Sequence, residues 1–156
     1  MALVTLGSPV NEGPVWYDLS LLLQRQEVES MAVRLNRTSF DHAKALVKEG
    51  EFVVDERDAW SEHQPSTEQE NRYIEEHGFA AYARWHLGVD DEENEDTKAR
   101  YKFPYGDFAK VHRCAVLAAE SRAGQRKYSD IELATAHLHG MLDALMTREG
   151  SSLAAS

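Results

Sequence analysis

The sequence predicts a mainly α fold, a compact single domain of about five helices with one small β hairpin, and three observations carry that expectation. Apolar residues recur at helical spacing in several separate stretches. Two capping boxes, Ser66 with Gln69 and Ser129 with Glu132, mark helix starts. The chain has 156 residues, the length of one ordinary domain, and holds neither an internal repeat nor a linker between two cores.

In chain order, residues 1–30 form a poorly defined N-terminal extension. Val28, Met31, Ala32 and Leu35 fall at helical spacing and favour a helix there, although Tyr17, Leu19 and Leu21 alternate as a strand does. The helical domain is placed at residues 31–148. Thr38 and Ser39 offer an N-cap to a helix with Phe40, Ala43, Leu46 and Val47 on one face, and Gly50 stands where a C-terminal glycine belongs. Phe52 to Val54 reads as a short strand. The Ser66 box opens a helix that His77-Gly78 interrupts, and a second helical piece stops at Gly88. Pro104 keeps the residues before it extended. Asp107 is expected to cap a helix over Phe108 to Ala123, the most buried of the domain. A last helix carries Ile131, Ala134, Leu138, Met141, Leu142 and Leu145, and residues 149–156 read as a disordered tail. The hairpin is expected to pair Phe52–Val54 with Tyr101–Phe103.

Charge is distributed unevenly. The chain carries 27 acids against 17 Lys and Arg, a net charge of −10, which opposes nonspecific binding to nucleic acid or anionic lipid. Yet Lys98 to Lys127 is locally basic and interleaves its cations with Tyr101, Phe103, Tyr105 and Phe108. Arg100, Lys102, Tyr105, Asp107, Lys110, His112, Arg113 and Arg122 are therefore the candidate ligand- or partner-binding residues. The function they favour is non-enzymatic binding to an acidic protein partner or to a second copy of the chain. Two alternatives stand beside it: an anionic small ligand or nucleic acid held through phosphate at the same surface, and a small hydrolase or transferase with Asp107, His112 or His86 in acid-base roles. Pairing of these cations with the six acids between Asp90 and Asp96, or of Arg113 and Arg122 with Glu120 or Asp130, is the competing structural explanation.

Nothing in the spacing demands a metal or another cofactor. On one helix, ligands share a face three or four residues apart, and no pair among the seven histidines meets that condition. His112 and Cys114, two apart, would diverge on a helix, and Cys114 reads as a buried small apolar residue. A site built across elements from His86, Asp107 and His112 is the remaining metal alternative. The acidic run lacks the glycine and terminal glutamate of a calcium hand, and glycine-loop, nucleophile-elbow and H-E-x-x-H motifs are absent. The single cysteine suits a reducing compartment. Without a secretory leader or an apolar run long enough to cross a bilayer, the expected location is the cytoplasm, with no membrane partner.

The blocks FDHAKALVKEG, DERDAWSEHQPS, ENRYIEEHGF, YARWHLGVD, TKARYKFPYGDF, VHRCAVLAAESRAGQ and DIELATAHLHGMLD together resemble a family of small uncharacterised bacterial proteins, over about Leu35 to Leu145. The resemblance implies that residues 1–30 are an extension or an alternative start, and it brings no activity with it. KFPYGDFAKVHRCAVLAAESRA also resembles a proline-turn-aspartate-helix segment of phage head and portal-associated proteins, which are assembly components.

Overall fold

The computed structural model describes residues 32–155, so the expected N-terminal extension lies outside the described residues. The elements are β1 (Val33–Leu35), α1 (Arg37–Lys48), β2 (Phe52–Val53), α2 (Trp60–His63), α3 (Thr67–Ala83), β3 (His86–Asp90), β4 (Tyr101–Pro104), β5 (Val111–His112), α4 (Arg113–Arg126) and α5 (Ser129–Ala155), with a 3-10 turn at Lys98–Arg100 before β4. The protein is helix-rich, as expected, but it carries more sheet than one hairpin. β1, β3 and β4 form an antiparallel sheet in that order, and β2 pairs with β5 in parallel.

Local signals account for the helix ends. Asn36, rather than Thr38 or Ser39, caps α1 by accepting from the Ser39 amide at 3.3 Å, and Gly50 follows the helix at φ +83°, a conformation that favours glycine. The Ser66–Gln69 capping box is complete, with both reciprocal hydrogen bonds in place. Gly78 breaks α3 at φ 84° and ψ 170°, where the sequence places the interruption. The final turns of α5 run through part of the segment expected to be a tail.

Three expectations are corrected by long-range pairing and a fourth by a local turn. Leu35 belongs to strand β1, not to a helix, because Val33–Leu35 finds β3 as a partner. The stretch expected to stay helical to Gly88 becomes β3 at His86, the central strand of the sheet. Phe52 and Val53 pair with Val111 and His112, while Tyr101–Pro104 pairs with β3, so the expected hairpin does not form. Asp107 caps a turn and not a helix: its Oδ1 accepts from the amides of Ala109 and Lys110 at 3.0 and 2.8 Å, Phe108 sits at φ 72°, and α4 starts only at Arg113.

The core lies where α1, α4 and α5 meet the sheet. Val47, Leu87, Phe103, Tyr105, Val111, Val116, Ile131, Leu138 and Leu142 are buried together. α4 is deeply buried through Cys114, Ala115, Val116, Leu117, Ala119 and Ala123, as its composition predicts. Gly88 lets this packing close, since a Cβ there would stand 2.8 Å from the Phe103 ring and 3.3 Å from Ile131. No helix among the described residues is long and apolar enough to cross a membrane.

His86 gives the fold an acid-sensitive point. It is 3% exposed, and burial, against one hydrogen bond to the Tyr82 carbonyl, lowers its pKa from 6.5 to about 4. Between those two values the unfolded chain binds a proton that the folded chain refuses, so stability falls as the pH drops through that window. The full loss is roughly 3 kcal/mol, from about 1.4 kcal/mol per pKa unit. Urea denaturation at pH 7 and pH 4 should show His86→Gln losing less stability on acidification than the parent chain. An equal loss in both would remove His86 as the cause.

Candidate metal centre

Four side chains from three parts of the chain converge at the junction of β5 and α4. Asp55 follows β2, His63 ends the short helix α2, His112 ends β5, and Cys114 is the second residue of α4. One ligand atom from each, Asp55 carboxylate oxygen, imidazole nitrogen of His63 and His112, and Cys114 Sγ, lies within 4.8 Å of every other.

Asp55 is the hub. Its Oδ2 is 2.8 Å from His63 Nδ1, 2.7 Å from His112 Nδ1 and 3.0 Å from Cys114 Sγ, while Oδ1 accepts from the Cys114 amide at 2.7 Å. The local backbone creates this arrangement. Parallel pairing of β2 with β5 sets Val53 beside His112, so Asp55 emerges two residues later against the start of α4. His63 itself is more open, with a side chain 40% exposed, against 7% for Asp55 and 9% for His112. Cys114 is fully buried.

The electrostatics follow from that crowding. Burial alone would raise the Asp55 pKa. The hydrogen bonds from the Cys114 thiol and amide and from both imidazoles outweigh it and hold the carboxylate well below its usual range. Burial, with Asp55 alongside, pushes the Cys114 thiol up to about 12. A thiol so reluctant to ionise is a poor nucleophile at neutral pH, in spite of its place in the first turn of a helix. His112 is pressed towards the neutral form by burial and, more strongly, towards the cation by Asp107 and Asp55, so its pKa is raised. Asp107 Oδ2 meets His112 Nε2 at 2.8 Å, and with His112 hydrogen-bonded on both ring nitrogens the imidazole is fixed in orientation.

The sequence-predicted residues divide into two groups. Asp107 and His112 belong to this cluster, whereas the others are not members of it. Tyr105, expected at the surface, is wholly buried and donates its hydroxyl proton to the Arg84 carbonyl at 2.7 Å. Arg100 donates to the Glu93 carbonyl at 2.9 Å and lies 3.5 Å from Asp91, and Lys98, beside it in the basic block, meets Glu70 at 3.2 Å. Arg113 bonds to Asp143 at 3.2 Å, not to Glu120 or Asp130. Lys102 is half-buried on β4, Lys110 is exposed in the turn before β5, and Arg122 is exposed on α4. Tyr105 is therefore turned inward, and Arg100 and Arg113 have carboxylate partners.

Asp55 and His63 were not singled out in the sequence, and Cys114 was read there as a buried small apolar residue; it is buried, but against Asp55 Oδ2. On a single helix His112 and Cys114 would diverge. His112 is instead extended, at φ −104° and ψ 124°, and helical geometry begins after it. A pair in the pattern H-x-C at a strand-to-helix junction, with D-x7-H upstream, was the available signal. No family model, curated protein or solved structure matches the chain.

Proposed function

We propose that the protein is a metal-binding domain in which Asp55, His63, His112 and Cys114 hold one divalent transition-metal ion of the zinc class. The observation that carries this reading is the convergence of three proton-bearing groups, two imidazoles and a thiol, on the single oxygen Asp55 Oδ2 at 2.7–3.0 Å. A cation placed among the four donors replaces those protons and satisfies all four ligands at once. Two nitrogens, one sulfur and one carboxylate oxygen suit zinc better than calcium or magnesium, which take oxygen ligands. Tetrahedral bonds of about 2.0–2.3 Å set donors roughly 3.3–3.6 Å apart, so binding needs the donors around Asp55 to spread by about half an ångström. Asp107 supplies the outer carboxylate that typically orients a ligating histidine.

Four protein donors fill a tetrahedron, which favours a structural role over hydrolysis. The ion would tie the 55–63 segment, whose helix α2 is four residues long and has no side-chain cap, to the start of α4. Titration of EDTA-treated protein with zinc should reach one equivalent per chain and raise the melting temperature. Cobalt substitution should give tetrahedral visible bands together with a near-ultraviolet thiolate-to-cobalt band, and Cys114→Ser should remove the second feature. Zinc bound without any change on Cys114→Ser or His112→Gln would place the metal elsewhere, and no binding at micromolar zinc would refute the reading.

A further inference from the structure

A second cluster lies beside the first and is chemically different from it. Trp60, Trp85 and Phe108 wall a small cleft, about 20 Å³, that is also lined by His86 and Glu70. That is room for one water-sized group, which needs about 10–15 Å³. His86 is buried, and its Nδ1 donates to the Tyr82 carbonyl at 2.8 Å. Its Nε2 is then a bare acceptor, with no hydrogen-bond partner among the described residues.

Two of the donors around the cleft are already committed. The Trp85 indole N–H goes to the Tyr73 hydroxyl at 3.3 Å and the Tyr82 hydroxyl goes to Glu70 Oε2 at 3.3 Å. Besides the Gln64 amide, the cleft offers a guest a neutral imidazole lone pair, a carboxylate with unused lone pairs and aromatic rings. A guest matched to that set is small, rich in N–H donors and positively charged, since aromatic faces attract cations and the net charge of −10 draws cations in. Glu70 already attracts one ammonium, that of Lys98 at 3.2 Å.

We propose that this cleft recognises a primary ammonium group, seated between His86 and Glu70 against Trp60 and Phe108, with the rest of the guest directed outward. The proposal goes beyond the metal reading, although Trp60 stands on the helix that carries His63. Zinc-loaded and EDTA-treated proteins are each titrated with n-butylammonium and with Nα-acetyl-lysine amide, and the indole N–H NMR signals of Trp60 and Trp85 are followed. Both amines binding points to the ammonium alone, and a marked preference for the lysine derivative points to a peptide side chain; either supports the site. n-Butanol and tetramethylammonium serve as controls, one lacking charge and the other too large.

Saturable shifts with the primary amines and none with the controls are expected. Glu70→Gln, which keeps the volume of the side chain, should weaken binding roughly tenfold through loss of a charge-assisted hydrogen bond. Phe108→Leu should weaken it several-fold, while Lys98→Met, which frees a Glu70 oxygen, should strengthen it. Butanol binding as well as the amine, or no amine response in either form of the protein, overturns the proposal and leaves the cleft as the seat of a water molecule. A chain that binds amine but not zinc overturns only the metal reading.

Discussion

Asp55→Ala is expected to destabilise the protein by about 3–5 kcal/mol at neutral pH, the usual cost of stripping one partner from a buried charged network, and to abolish zinc binding. The Asp55 side chain is 7% exposed, and the substitution leaves the Cys114 amide, His63 Nδ1 and His112 Nδ1 facing an empty space where a carboxylate stood. His112 would then keep Asp107 as its one carboxylate and lose part of what raises its pKa. Asp55→Asn separates charge from shape. It preserves volume but cannot accept from every donor now around Oδ2, so its loss should fall between those of the parent and the alanine variant. Urea denaturation with and without zinc measures both effects. A midpoint unchanged by Asp55→Ala, in either condition, would mean that the cluster holds neither the fold nor a metal.

Gly106→Ala should cost roughly 3 kcal/mol, the upper part of the range for overpacking a tight site. A Cβ on Gly106 would collide with the Lys110 carbonyl oxygen and stand 2.7 Å from Cζ3 of Trp85, whose ring is stacked on Tyr105 at 5.4 Å. Neither neighbour can yield cheaply. Gly106 bridges to Val111, and the Asp107 amide donates to that same Lys110 carbonyl at 3.1 Å, so the substitution forces open the turn that aims Asp107 at His112. Zinc affinity should fall as well, by about tenfold or more, as it does when the outer partner of a ligating histidine is disturbed. Denaturation paired with zinc competition tests this, and parental stability in Gly106→Ala would show that the turn relaxes freely.

Helical periodicity and capping chemistry were legible in the chain because both are local. The Ser66–Gln69 box, the break at Gly78, the glycine after α1, the buried face of α4 and the apolar stripe of α5 each depend on residues within a few positions of one another. Strand pairing was not legible. β3 is continuous with residues that continue a helical pattern, and what makes His86–Asp90 a strand is β1 and β4 on either side of it. Short strands of two or three residues carry too little periodicity to be distinguished from loops.

The candidate site divides along the same line. Asp107 and His112 could be singled out from composition near the basic block, but their bond to each other and to Asp55 depends on where a turn and a two-residue parallel ladder place them. The sequence by itself determined which segments bury an apolar face, where several helices begin and break, and that positive charge gathers between Lys98 and Lys127. Only the tertiary structure decided that Asp55 would meet Cys114 across 59 positions of chain and that Lys98, Arg100 and Arg113 would find carboxylates. Helix propensity acts over a few neighbouring residues, whereas convergence of charges and ligands is fixed by contacts between elements far apart in the chain, whose partners no local pattern names.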